Sequence, residues 1–299
     1  MNRWAAIEDA IRAATGGPFR VHEASPRGGG CINETWRIDD GREAFFVKLN
    51  TAARLPMFEA EAEGLIRLAA AGALRVPAPV CRGLAGGQAF LVLEYLDMEG
   101  GPDNPDRLGE GLAALHAVEG PAFGACGDNF IGSTAQSNAS HADWAGFWRE
   151  ERLRPQLTLA AHNEAPARLR ALGEHLLDAV SVLLAGHTPR PSLLHGDLWA
   201  GNCGYTRAGE PVIFDPAVYH GDRETDLAMT ALFGGFAPRF YQAYLATAPL
   251  PPGHERRQRL YNLYHILNHY NLFGGAYANQ AMRMMETLLT EAGLPPPER

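Results

Sequence analysis

Long apolar runs are missing from this sequence. Nowhere do about 18 consecutive apolar residues occur, which excludes an ordinary transmembrane helix. Cysteine is scarce: Cys31, Cys81, Cys126 and Cys203 are widely separated and form no zinc-type pairs, a usage that suits a reducing compartment. Charge is sparse too, at 20% of residues, with Lys+Arg 26 against Asp+Glu 34 and a net charge of −8. No basic stripe is present, which argues against binding dominated by nucleic-acid phosphates. The acidic balance reads as solubility. Residues 1–14 carry Glu8 and Asp9 and no continuous apolar core, so they do not read as a secretory leader. The expectation is a cytoplasmic protein with neither a nucleic-acid nor a membrane partner. Internal repeats and low-complexity segments are also lacking. What is present is 299 residues that are 46% hydrophobic, enough for a sizeable core without a metal or disulfide staple. At ~150 residues per unit the length suggests roughly two structural units.

Periodicity places a short amphipathic helix over 4–14, with Trp4, Ile7, Ala10 and Ile11 at helical spacing. Strands follow at 34–39 and 44–49 around an Asp40-Gly41 turn. A helix over 57–71 is predicted with Phe58, Ala62, Leu65, Ile66 and Ala69 on one face. Two prolines make 76–80 an extended connection, and 89–95 reads as another strand. Beyond Asp97 the character changes. After the polar stretch 99–106, helices are predicted at 107–118, 143–160, 165–186, 224–232, 237–247, 255–272 and 278–292. Strand-like runs at 201–205 and 212–214 flank a turn at 207–210. The reading is α+β and bilobal. Residues 1–96 form a small lobe with an antiparallel sheet and one main helix, and 97–299 form a larger, mostly helical lobe.

The segment His195–Asn202 (HGDLWAGN) is the most informative. Asp197 precedes Asn202 by five residues, and Asp215 follows Asp197 by 18, at the end of the strand VIFD. That spacing matches the catalytic loop and metal-binding segment of kinases. A hydroxyl that attacks a phosphoryl group needs a carboxylate to accept its proton and orient it. A Mg²⁺ ion among phosphates needs hard oxygen ligands, which an Asn carbonyl and an Asp carboxylate supply. HGD alone would be compatible with a turn cap; in register with Asn202 and Asp215 it is not readily so.

The small lobe adds a second line of argument. Lys48 sits inside the apolar strand FFVKL, where its head group needs a partner. Glu59, Glu61 and Glu63 lie in the first turns of the following helix, and Glu61, just before the LIRL stripe, is the expected one. A strand Lys held by a helix Glu against the α/β-phosphates is the kinase arrangement. Gly28, Gly29, Gly30 and Cys31 precede Lys48 between strands, where a phosphate-covering loop belongs, although the full spaced-glycine pattern is absent. Glu94, Tyr95 and Leu96 stand where a hinge would offer backbone groups to adenine.

Together these residues resemble the fructosamine kinase (ketosamine-3-kinase) family, in the aminoglycoside-phosphotransferase-like branch of the protein-kinase-like fold. The resemblance runs nearly end to end. It is carried by GGGCINE (28–34), FFVK (45–48), MFEAE (57–61), LEYLDM (93–98) and GDNFIGSTAQSN (127–138). It continues through LLHGDLWAGN (193–202), VIFDPAVYHGDRETDLAMTALFGGF (212–236) and LYNLYHILNHYNLFGGAY (260–277). The resemblance implies ATP- and Mg²⁺-dependent phosphorylation of the 3-hydroxyl of a sugar attached to an amine, in deglycation repair. Carried over by position, Asp197 is the base, Asn202 and Asp215 the Mg²⁺ ligands, Lys48 and Glu61 the phosphate-orienting pair, and 94–96 the adenine hinge. Pro216 after Asp215, in place of Phe-Gly, points away from protein substrates of the protein-kinase type. An aminoglycoside or amino-alcohol kinase of the same fold, and a silent nucleotide-binding regulator, are the competing readings. LYHILNH and DLAMTALFGGF favour the ketoamine branch, and the intact Lys48, Asp197, Asn202, Asp215 set disfavours a silent protein.

On the acceptor side, Trp199 is open to two readings, an apolar wall against the sugar or packing within its loop. Asp226 reads as an N-cap or loop brace rather than a catalyst. His265 and His269 have the i, i+4 spacing of a metal pair but no third ligand. With Asn268 and Asn271 beside them, a polar network lining the cleft is the preferred reading. Asn129, Gln136 and Asn138 fit either sugar binding or a self-ordered loop. Cys31 is either a redox-sensitive thiol in the phosphate loop or an inert packed residue, so the protein is expected as a monomer or a redox-linked homodimer.

Overall fold

The computed structural model describes residues 3–28 and 32–295. The expectations for Gly29, Gly30 and Cys31 fall outside these residues. After helix α1 (Ala5–Thr15), five strands build one antiparallel sheet in the order β1-β2-β3-β5-β4. They are β1 (Glu23–Pro26), β2 (Glu34–Asp39), β3 (Ala44–Thr51), β4 (Pro79–Ala85) and β5 (Gln88–Glu94). Proline explains one placement. Pro79 begins β4 at the sheet's edge, where a missing N–H leaves no ladder partner unpaired. The β2–β3 turn is closed by the Asp40 carboxylate, which accepts the N–H groups of Arg42 and Glu43 at 2.8 Å each.

Helix α2 (Leu55–Ala71) packs against this sheet through Phe58, Ala62, Leu65 and Leu68, all buried. Ile66, predicted on that face, is 54% exposed, and Ala69 is exposed as well. The stripe steps by three and four residues from Phe58 to Leu68, and Ile66 lies about 100° away from Leu65.

The rest of the chain is mostly helical: α3 (Pro105–His116), α4 (Trp144–Phe147), α5 (Arg154–His162), α6 (Ala167–Leu183), α7 (Glu224–Leu232), α8 (Pro238–Thr247), α9 (His254–Phe273) and α10 (Tyr277–Glu291). The helix predicted over 143–160 is divided by a π-helical turn over Trp148–Leu153. That wider turn brings Trp148, Arg152 and Leu153 all inside. Short antiparallel pairs thread between the helices. They are β6 (Asn129–Ile131) with β7 (Thr134–Gln136), β8 (Ser192–Leu194) with β11 (Tyr219–Gly221), and β9 (Cys203–Tyr205) with β10 (Pro211–Ile213). One apolar cluster joins the two parts of the chain, with Phe58 and Leu65 of α2 packed among Leu112, Leu198 and Ile213. Among the described residues no helix is long and apolar enough to cross a membrane.

Candidate active site

The loop after β8 is held in one conformation from behind. Gly196 adopts φ +84°, and a Cβ there would lie 2.0 Å from the Ala217 carbonyl oxygen, so only glycine fits. Asp226, in the first turn of α7, accepts the backbone N–H groups of His195 and Gly196 at 2.8 Å each. Its second contact is with His116 Nε2 at 3.1 Å. Burial works against the Asp226 carboxylate, yet His116 and these N–H donors hold its pKa below the ordinary range. Asp226 is thus a loop brace and not a helix cap; ahead of α7, Asp222 Oδ1 accepts the Glu224 N–H at 3.1 Å.

His195 is the residue that the sequence reading left without a role. Its Nε2 donates to the Phe214 carbonyl at 3.0 Å, and its Nδ1 accepts the Asp197 N–H at 3.3 Å. Burial lowers its pKa, so the ring is a neutral tether between the Asp197 loop and the strand end that carries Asp215. Its position at the head of HGD was the available signal.

Three elements converge on the floor of one cleft. From β3, Lys48 Nζ donates to Glu61 Oε1 of α2 at 2.6 Å and to Asp215 Oδ1. Glu59 and Glu63 are exposed, so Glu61 alone of the three meets Lys48. Burial pulls the Lys48 pKa down, but the two carboxylates outweigh it and raise it, so the ammonium stays charged. Lys48 is also the only lysine among the chain's 26 basic residues, a compositional signal for a point charge that arginine's planar fork does not replace. Asp215 itself sits at φ +56°, in the left-handed region that aspartate tolerates better than most residues.

Asn202 donates its Nδ2 to the Asp197 carbonyl at 2.8 Å and to Asp197 Oδ2 at 3.3 Å. That leaves Asn202 Oδ1 without a protein donor among the described residues, beside a half-exposed Asp215 carboxylate. This pair of hard oxygens fits a Mg²⁺ ion. Asp197 is raised to about 7, by burial first and by the nearby Asp215 charge second, with the Asn202 bond opposing.

A cavity of about 490 Å³ opens over this floor. Lys48, Glu61, Asp197, Asn202 and Asp215 line it together with Trp199, His265 and Asn268. Trp199 stands edge-on to Phe233 at 6.2 Å, and Phe233 lies 4.8 Å from His269. His269 Nδ1 donates to the His265 carbonyl at 2.8 Å, and among the described residues no third metal ligand joins the two imidazoles. The His265 ring meets no hydrogen-bond partner among the described residues, and burial lowers its pKa to about 3, with His269 adding. Asn268 is tied to Gln156 and to the Ile131 carbonyl. Gln136 and Asn138 turn inward and bond protein groups, whereas Asn129 lines the cavity.

Glu94, Tyr95 and Leu96, the expected hinge, are not among the residues that line this cavity. Glu94 gives its N–H to the Ala78 carbonyl at 2.8 Å, and its carboxylate pairs with Arg75. Tyr95 carries Arg37 over its ring at 5.1 Å. A separate carboxylate–imidazole group, His187, Asp222 and Glu224, has metal-like spacing. It is closed by protein partners instead: Tyr261 donates to Asp222, and both arms of Arg257 hold Glu224 at 2.8 Å.

The profile of the fructosamine kinase family matches residues 3–291. The chain belongs to that family. A probable ketoamine kinase of Synechocystis is 48% identical over 288 residues, covering 96% of this chain and 97% of that protein. The chloroplastic protein-ribulosamine 3-kinase of Arabidopsis thaliana is 39% identical over 94% of this chain and 88% of its own length. A Haemophilus somnus crystal structure, named as a candidate fructosamine-3-kinase, superposes with TM-score 0.87 at 30% identity, covering 96% and 98% of the two chains. Aminoglycoside phosphotransferase APH(4)-Ia in complex with ADP and hygromycin B gives TM-score 0.63 at 15% identity over 97% and 99%, a likeness of fold alone. This member of the fructosamine kinase family therefore has the α+β, protein-kinase-like fold that its sequence implied.

Proposed function

We propose that this protein is an ATP-dependent kinase for ketoamine sugars, transferring the γ-phosphoryl group to the 3-hydroxyl of ribulosamine, erythrulosamine or fructosamine adducts. The observation that carries the proposal is the convergence of Asp197, Asn202, Asp215 and the Lys48–Glu61 pair on one cleft floor. In this reading residues up to 96 hold the nucleotide and the larger lobe holds the acceptor.

The Lys48 ammonium, fixed by Glu61, meets the phosphates of ATP as a point charge. Asn202 Oδ1 and the Asp215 carboxylate would hold Mg²⁺, which supplies charge neutralisation on the phosphates when bound. Asp197 orients the sugar hydroxyl. As the bond from the 3-oxygen to the γ-phosphorus forms and the bond to the β-bridging oxygen breaks, the hydroxyl proton passes to Asp197 and ADP leaves. Trp199 and Phe233 give the acceptor an apolar wall, and His265 and Asn268 of α9 add polar groups to the lining. Phosphorylation at that position destabilises the sugar–amine adduct, the chemistry a deglycation role requires.

One assay tests the proposal: ADP release with Mg²⁺ and each of the three ketoamines, with an aminoglycoside and an acceptor-free control. Acceptor-dependent ADP release with at least one ketoamine is expected. Turnover with the aminoglycoside alone, or no acceptor-dependent turnover, would overturn it.

A further inference from the structure

Arg152 is a buried cation with no carboxylate at ion-pair distance among the described residues. Its guanidinium lies 4.0 Å from the Tyr219 ring centroid and 4.6 Å from that of Phe147, and a third ring, Tyr264, is at 5.8 Å. A buried charge is retained only where its surroundings compensate it, and here aromatic faces replace a counter-ion. Its hydrogen bonds go elsewhere. Nη1 donates to the Ser137 carbonyl at 2.7 Å and to the Glu151 carbonyl at 3.0 Å, and Nη2 donates to Asn138 Oδ1 at 2.6 Å. Asn138 in turn donates to the Gly127 carbonyl at 2.8 Å, and its N–H meets Asp128 Oδ1 at 2.9 Å. The guanidinium thus holds the segment after β7, and Asn138 ties that segment to Gly127 and Asp128 ahead of β6.

The hairpin is the part of the cleft wall that carries Asn129, Ile131 and Gly132. Gln136 connects it to the catalytic side. It accepts from Tyr264 OH at 2.6 Å and donates to Asn129 Oδ1 at 2.7 Å, while Asn129 Nδ2 donates to the Val218 carbonyl at 2.7 Å. Val218 lies three residues after Asp215, so the hairpin and the Asp215 segment share one hydrogen-bonded frame. The π-helical turn over Trp148–Leu153 is the local device that brings Arg152 inside with Trp148 and Leu153.

We propose that Arg152 is a positioning residue that sets the acceptor wall of the cleft by clamping the β6–β7 hairpin from behind. It touches neither nucleotide nor acceptor and acts through Asn138, Ser137 and the Gln136–Asn129 pair. The assignment of this wall to the acceptor rests on the function proposed above; the clamp itself does not. Replacing the fork should loosen one wall of the cleft and leave the Lys48–Asp215 floor in place.

The test uses the full chain with Arg152→Met and Arg152→Lys. Amide hydrogen exchange is measured first. Residues 127–138 should exchange at least tenfold faster in Arg152→Met, with α3 and α10 unchanged. The Lys variant, which keeps the charge and loses the fork, should fall between Met and wild type. Steady-state kinetics follow, using whichever acceptor the wild type phosphorylates. The acceptor KM should rise at least tenfold in Arg152→Met while the ATP KM stays within twofold, and Arg152→Lys should recover part of the loss. Exchange that rises evenly across the helices, a Lys variant that matches wild type, or parallel rises in both KM values would overturn the clamp. A wild type inactive on every ketoamine would overturn the proposed function alone, because the exchange measurement still decides the clamp.

Discussion

Asp226 and Gly196 are 30 residues apart in the chain, and the carboxylate of the first accepts the backbone N–H of the second at 2.8 Å. Through this bond and its twin to His195, helix α7 dictates the shape of the loop that carries Asp197. An Asn at 226 would aim an NH₂ group at one of these N–H donors. Asp226→Asn should cost roughly 1–3 kcal/mol, as when a buried donor is left without its acceptor. Urea unfolding at pH 7 measures the loss, and turnover should fall with it even in the fraction that remains folded.

The same carboxylate makes stability depend on pH. Its folded pKa is below the ordinary 3.8, so its contribution is complete above that value and is lost as pH falls through the folded pKa. His265 works earlier. Its pKa falls from 6.5 unfolded to about 3 folded, so below pH 6.5 the unfolded chain takes up a proton that the folded chain refuses. Stability should therefore decline between pH 6.5 and about 3, by about 1.4 kcal/mol at most per pH unit from this one group. Unfolding free energies of His265→Asn should show a shallower decline over that interval.

Asp197→Asn tests the proposed base. The amide can no longer accept the hydroxyl proton, while Lys48, Asn202 and Asp215 remain. A loss of roughly 10²–10⁴-fold in kcat is expected, with nucleotide affinity, read by titration calorimetry, within a few-fold of wild type.

Lys48 being the only lysine makes its environment directly readable. An amine-reactive reagent should modify it slowly, since it is buried and paired with Glu61 and Asp215, and ATP should slow it further. Peptide mass mapping reads the outcome. Lys48→Met leaves the Glu61 carboxylate buried without its cation and should destabilise by roughly 3–5 kcal/mol. Lys48→Met with Glu61→Gln should recover much of that loss without restoring phosphoryl transfer.

The legible part of this protein was local. The Asp197, Asn202 and Asp215 spacing could be read because a loop and a short hairpin hold these residues at fixed separations along the chain. Helices α1 and α2 announced themselves through apolar periodicity; α9 is buried continuously over 260–268 and carries no such stripe. The three-residue strands β6, β7, β8 and β11 could not announce themselves, being too short to carry a period. Ile66 reads as core because it is apolar, yet helix geometry turns it about 100° from Leu65 onto an exposed face.

The sequence alone determined which residue types were available for phosphoryl chemistry and in what order, because that chemistry constrains side-chain identity and local spacing. Tertiary packing decided which of them meet. Lys48 reaches Asp215 across 167 residues, and Arg257 finds Glu224 across 33. A contact between distant segments has no periodic trace. It follows from how the sheet, α2 and the helical lobe pack, where a buried charge must find its partner or its aromatic face.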